Sequence, residues 1–173
     1  VSANGVTNGG TIAIDSATTT SVDGAVFAAA STGAGGSIDV TATEVEIGSQ
    51  AVIGVDGTRS GGRIRIGGEF RGTDVAGLRE ADLTTVSAGA VISADASLGD
   101  AGSVIVWANQ DTIFRGDVSA SAFGATGSGG LVEISGLERL ALGGSIAANA
   151  VSGDAGTVLF DPGTINIGYF NSV

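Results

Sequence analysis

Gly61-Gly62-Arg63-Ile64-Arg65-Ile66 is one of six copies of a single phrase: a small pair ending in Gly, then two apolar residues spaced by two. The others are Gly9-Gly10-Thr11-Ile12-Ala13-Ile14, Gly35-Gly36-Ser37-Ile38-Asp39-Val40, Ala101-Gly102-Ser103-Val104-Ile105-Val106, Gly129-Gly130-Leu131-Val132-Glu133-Ile134 and Ala155-Gly156-Thr157-Val158-Leu159-Phe160. The second Gly falls at 10, 36, 62, 102, 130 and 156, in steps of 26, 26, 40, 28 and 26. A near-constant period in this range marks a solenoid, each repeat being one coil stacked on the last.

Within the phrase, strand alternation sends Ile64 and Ile66 to one face and Arg63 and Arg65 to the other. The same register aligns Ile12/Ile14, Ile38/Val40, Val104/Val106, Val132/Ile134 and Val158/Phe160. A second anchor lies sixteen residues after the second Gly at Val26, Val52, Val118 and Ile146, with Val91 as its displaced counterpart. A third, less regular patch sits between them (Val45/Ile47, Ile113, Leu140/Leu142). Gly-rich bends at 33–36, 127–130 and 152–156 separate the coils, and positive φ is the conformation expected of them. Three short strands per 26-residue turn predict an all-β fold, a parallel β-helix of about six coils. A coil spacing of about 4.8 Å would make it roughly 29 Å long. The competing fold is an antiparallel sandwich, but hairpin signals are few, chiefly Asn4-Gly5 and Asp56-Gly57. No coil can bury its apolar face alone, so 1–173 reads as one β-helix segment needing caps or further coils.

Composition agrees. The 173 residues include 31 Gly, one Pro and eight aromatics, so the interior must be narrow and filled by small and β-branched side chains. There is no Cys and no His, which removes disulfides, thiolate metal sites and imidazole catalysis. Net charge is -11 and the seven basic residues are all Arg, so a nucleic-acid partner is not expected. No apolar run approaches the ~20 residues of a membrane span, and no charged n-region precedes an apolar stretch. The expectation is a mature or excised piece of a longer precursor.

The 40-residue step places an insertion of about fourteen residues in coil three, within Gly67–Val86. It carries Glu69, Arg71, Asp74, Arg79, Glu80 and Asp82, and Val75–Ala81 is expected to form a helical turn or two. A loop protruding from a regular rod is where a solenoid makes contacts.

Several phrases together resemble a known family. They are Gly61–Gly72; Val86-Ser87 with Ile92–Ala96; Asp100–Ala108 with its Trp107; Phe114–Ala120; Gly129–Gly136; and Leu159–Pro162 with Ile165–Ile167. Their succession over roughly 60–170 resembles the β-helical shaft of filamentous-haemagglutinin-like proteins, the large exoproteins exported by two-partner secretion. The resemblance implies a right-handed β-helix and secretion across both membranes of a Gram-negative-type envelope. It also implies a place at the cell surface and roles in adhesion, aggregation or biofilm. The amino-terminal secretion domain of such proteins is not recognisable in these residues, and no ligand is carried over.

Outward positions read down the stack as Ala13, Asp39, Arg65, Ile105, Glu133 and Leu159. Asp39 beside Arg65 is either part of an acidic-sugar site or a cross-coil ion pair. Trp107 follows Val106 and points outward by alternation. It either stacks on a sugar or partner, or packs beneath Phe70 or Leu78 of the insertion. The candidate ligand or partner contacts are therefore Trp107, Phe70, Arg71, Arg79, Glu80, Arg65 and Asp39. Nothing fixes a carboxylate pair (Glu44/Glu46, or Glu69, Glu80 and Asp82) across a cleft as glycoside hydrolysis needs, so no catalytic residue is assigned. Gly-Gly-x-Gly is absent, and Asp100, Asp154 and Asp161 read as corner residues, so no metal or other cofactor is assigned. Walker A and Gly-x-Gly-x-x-Gly are likewise absent, and no Thr-x-Thr ladder recurs. The expected role is a non-enzymatic shaft that stacks end to end, on copies of itself or on neighbouring coils of a longer chain. Cell-surface glycans are a further candidate partner. The alternative is a carbohydrate-binding or carbohydrate-active β-helix.

Overall fold

The six phrases become the six strands of one parallel sheet. The computed structural model describes residues 1–168. Coil one holds the strands Thr11–Asp15, Thr19–Val22 and Ala25–Phe27; coil two Ser37–Thr41, Glu44–Ile47 and Val52–Gly54; coil three Arg63–Ile66, Leu83–Val86 and Val91–Ser93. Coil four holds Ser103–Ala108, Asp111–Phe114 and Asp117–Ser119; coil five Leu131–Gly136, Arg139–Leu142 and Ser145–Ala147; coil six Thr157–Leu159 and Thr164–Ile167. First strands pair only with first strands, second with second and third with third, giving parallel faces of six, six and five strands. The β-solenoid is therefore as expected.

Register on the first face follows the sequence pattern. Ile12, Ile38, Ile64, Val104, Val132 and Val158 lie in one ladder column, and Ile14, Val40, Ile66, Val106 and Ile134 in another. The middle coils bury these side chains completely. Stacking like on like leaves no coil with a core of its own, so apolar burial is shared along the axis.

Two details of the core differ from the sequence reading. On the third face the inward column is Val26, Ile53, Ile92, Val118 and Ile146, while Val52 and Val91 point outward at 37 % and 41 % exposure. The bend between second and third strands is four residues long in coils two and three (48–51 and 87–90) but two in coils one, four and five. The anchor is displaced accordingly, and adjacent β-branched residues hide the displacement. On the second face Ile113 points outward, and Phe114 with Thr112 fills the interior. Threonine is tolerated there because its hydroxyl reaches a corner carbonyl: Thr20 donates to Thr41 O (3.0 Å), Thr84 to Trp107 O (2.6 Å) and Thr112 to Ser135 O (2.7 Å).

The repeated glycines also have a different cause. None of those in the bends 33–36, 127–130 or 152–156 has positive φ. A Cβ on Gly36 would instead run into Gly10 O, one on Gly62 into Gly36 O, and so on up the ladder to Gly156 against Gly130 O. Close approach of successive coils, not turn conformation, demands Gly at this column.

The insertion spans 67–82, inside the expected Gly67–Val86 window, and ends where Leu83–Val86 begins as the coil-three strand of the second face. It contains no helix over Val75–Ala81; Leu78 N bonds Val75 O in a single turn. The one helical element is a 3-10 turn at Phe70–Gly72, with Glu69 accepting from Phe70 N at 2.9 Å.

Candidate functional site

The 67–82 insertion forms a strap, of which residues 67–72 lie on the first face while 73–77 are exposed to solvent. Beneath it is the outward column Ala13–Asp39–Arg65–Ile105–Glu133–Leu159, in register as the sequence placed it. Its central members are not solvated: Arg65 is 8 % exposed, Ile105 3 % and Glu133 0 %.

The strap is fixed at points belonging to different coils. Arg65 forks onto Asp39 of coil two, with Nε to Oδ1 and Nη2 to Oδ2 both 2.7 Å, and Nη1 donates to Glu69 Oε2 at 2.6 Å. Arg63 stands 3.9 Å from the same Glu69 oxygen. At the strap's tip the Arg71 amide donates to Glu133 of coil five, 3.0 Å to Oε2 and 3.2 Å to Oε1. That geometry sets Arg71 at φ 55°, the single non-glycine positive φ among the described residues. The Arg71 guanidinium lies 3.8 Å from Asp161, just past the coil-six strand, and 5.3 Å from the Phe70 ring centroid. At the other end Arg79 reaches back to Asp15 of coil one at 3.2 Å.

Trp107 lies under the strap, 4 % exposed. A Cβ on Gly68 would strike its Cδ1 at 2.6 Å, and one on Gly72 would overlap Cζ2. The indole N–H donates to Asn109 Oδ1 at 3.2 Å. This is a correction to Trp107 as a surface contact: packed against the glycines of the strap, its ring offers no face to a ligand from solution. Gly68 and Gly72 of the insertion pack against the ring.

Electrostatics reflect this enclosure. The hydrogen bond to Asp39 raises the Arg65 pKa, with Glu69 adding to it against the cost of burial. For Glu69, burial opposes ionisation, but the Phe70 N–H and the Arg65 and Arg63 guanidinium groups outweigh it and hold the carboxyl below its ordinary value. For Glu133, burial wins and raises the pKa despite the Arg71 N–H and the Ser135 hydroxyl, with Asp161 adding repulsion.

The structure thus brings Asp39, Arg65, Phe70, Arg71 and Trp107 together at one strap, with Arg79 at its far end. Glu80 lies in the same segment with Oε1 shielded and without a hydrogen-bond partner among the described residues. Asp39 and Glu69 are both committed to Arg65. Glu133, which anchors the tip, is marked in the sequence only as an outward position of its column. Ile105 and Leu159 in its column are the signal that this face is covered, since apolar residues recurring at outward positions mean something packs on them.

Elsewhere, corner carboxylates do structural work. Asp56 accepts from Ser93 Oγ (2.9 Å) and Asp95 N (2.8 Å), and Asp95 accepts from Ser119 Oγ and Ser121 N (both 2.6 Å). Burial raises the Asp56 pKa. Asp100 accepts from Ser128 N at 2.8 Å. Concave surface lies at the two ends of the core, one groove lined by Val1, Ile14, Ser21, Val22 and Val26, the other by Leu142, Ile146, Ile167 and the glycines beside them. Among the described residues no helix is long and apolar enough to cross a membrane.

Neither a family model nor a curated protein sequence matches the chain. Among solved structures it is similar to the HMW1 secretion domain from Haemophilus influenzae, with 22 % identity and a TM-score of 0.60. The match covers 91 % of this chain but 42 % of that one, so the chain spans less than half the length of its structural neighbour. At this identity the likeness concerns the fold.

Proposed function

We propose that this chain is a non-enzymatic β-solenoid segment of a secreted, filamentous exoprotein at a bacterial cell surface. Its work is to carry length and to serve adhesion, aggregation or fibre formation. The observation that carries the proposal is the unbroken coil-on-coil register, with the apolar core grooved at both ends of the stack. Each coil accepts its neighbour through the same ladder, so further coils or a second copy can stack on either end by the same rule. The resemblance of residues 60–170 to filamentous-haemagglutinin-like shafts supports this reading. The structural likeness to a solved secretion domain favours giving the same segment a part in export. A carbohydrate-active alternative gains no support from the strap, because Asp39 and Glu69 are held by Arg65 and Trp107 is covered.

The test is immunogold electron microscopy of producing cells and their secreted fraction, with antibody raised against this chain. Label along filaments or on the outer surface is the expected result. Label confined to the cytoplasm overturns the proposal. Glycan binding by the isolated chain that Arg71→Ala abolishes would favour the alternative.

A further inference from the structure

Glu133 sits at an unusual junction. It is wholly buried on what would be the outside of the solenoid, and the strap closes over it. Its column neighbours are Ile105 and Leu159, both apolar. From the strap it meets the Arg71 amide, with the Arg71 guanidinium nearby; from its own strand the Ser135 hydroxyl; from the corner after the coil-six strand the Asp161 carboxylate. Arg65 and Glu69 lie further down the same face and pair with each other. Asp161 is itself tied in, its N–H donating to Ser135 Oγ at 3.1 Å. Closing the strap therefore buries one carboxylate with amide, hydroxyl and exposed guanidinium contacts but no close ion pair.

We propose that the 67–82 strap is a proton-tightened clamp: uptake of a proton by Glu133 strengthens its seating, and loss of that proton loosens it. The sign follows from linkage. With the strap closed, burial and Asp161 disfavour the Glu133 anion, so the closed state binds a proton more tightly than the open one. Stability from this group is present below the ordinary carboxyl value and is lost as pH rises through the raised one. Glu69 acts in the opposite sense. Its depressed pKa means that its pairing with Arg65 holds above the ordinary value and fails in stronger acid. Seating is therefore tightest between the depressed Glu69 value and the raised Glu133 one, weaker above the latter, and weaker again once Glu69 is protonated. Below the raised Glu133 value the strap is held most firmly; above it the strap's hold over Ile105, Trp107 and Glu133 loosens. The device needs no ligand and is independent of the proposed shaft function.

Trp107 is the chain's single tryptophan and lies under the strap, so it reports the event directly. The experiment measures acrylamide quenching of Trp107 fluorescence from about pH 8 down to about pH 4, just below the ordinary carboxyl value, in the native chain and in Glu133→Gln. Glutamine keeps an acceptor for the Arg71 amide and removes the charge. The native chain is expected to lose quencher access as pH falls, and Glu133→Gln to show low access throughout, without the titration. A native chain with pH-independent quenching overturns the proposal. So does a Glu133→Gln chain that follows the native titration. The native titration alone decides the matter if the variant does not fold.

Discussion

Two arginine–aspartate forks bridge neighbouring coils, one on each of two faces. On the first face Arg65 grips Asp39 at 2.7 Å through both nitrogens, and the side chains are 10 % and 16 % exposed. On the second face Arg139 grips Asp111 at 3.0 and 2.8 Å, with side chains 56 % and 32 % exposed. Geometry and sequence logic are the same: opposite charges one coil apart at matched ladder positions. The strap makes the difference. It roofs the first pair, adds Glu69 as a third member and excludes water, while the second pair stays in high dielectric and open to salt. A crystallographic-looking contact is thus not a unit of stability; its surroundings set its value.

The largest effect that would break this contrast is removal of the strap's seat. Trp107→Ala takes a large buried ring from between the ladder and Gly68 and Gly72, and is expected to cost about 3–5 kcal/mol. Urea unfolding followed by circular dichroism measures it, since the fluorophore is lost. Trypsin adds a local readout, because Arg71 and Arg79 lie in the strap. Cleavage there should accelerate well before the ladder melts. Next comes Arg65→Ala, which leaves Asp39 and Glu69 facing each other under the roof. Its expected cost is about 3 kcal/mol, the lower end for stripping one partner from a buried pair. A cost below that of Arg139→Ala, by the same urea midpoint, would show that the strap confers no added value.

Much of this was written in the sequence, and the reason is periodicity. Ile12, Ile38, Ile64, Val104, Val132 and Val158 repeat at the same phase of the same phrase, so strand direction, register and the shared core all follow from one alternation. The displaced anchor at Ile53 and Ile92 did not, because Val52 and Val91 are equally β-branched and only bend length separates them. Thr112 and Thr84 hid inward positions because their hydroxyls find partners that no local pattern predicts. The insertion's existence was legible in the 40-residue step, but its path was not. Arg71 and Glu133 are 62 residues apart, and nothing in 67–82 names the face on which it lies. Glu133 was visible only as the next outward residue in a column, and the apolar Ile105 beside it was the clue that the column is roofed.

Within the strap, two glycines sharpen the comparison on a smaller scale. Gly72 (φ 60°) and Gly77 (φ 86°) are both left-handed, so alanine at either is strained by about 1–2 kcal/mol. A Cβ on Gly77 meets nothing, whereas one on Gly72 runs into the Trp107 ring. Gly72→Ala is therefore expected to cost more than Gly77→Ala, and to raise Trp107 quenching where Gly77→Ala leaves it near the native value. Equal quenching in the two variants would mean that the strap does not rest on Trp107.

The smallest effect closes the contrast from the other side. Arg139→Ala removes a fork as well aligned as that of Arg65, yet the Arg139 side chain is 56 % exposed and that of Asp111 32 %. The expected cost is about 0–1 kcal/mol, the usual range for a solvated ion pair. It should shrink further when salt is raised to about 1 M, where screening length falls to about 3 Å. The Arg65 cost should persist under the same salt, because the strap keeps ions from the pair. Comparing the two variants across salt separates charge geometry from enclosure: both costs falling together would assign the first face's stability to surface electrostatics and leave the strap as a passive cover.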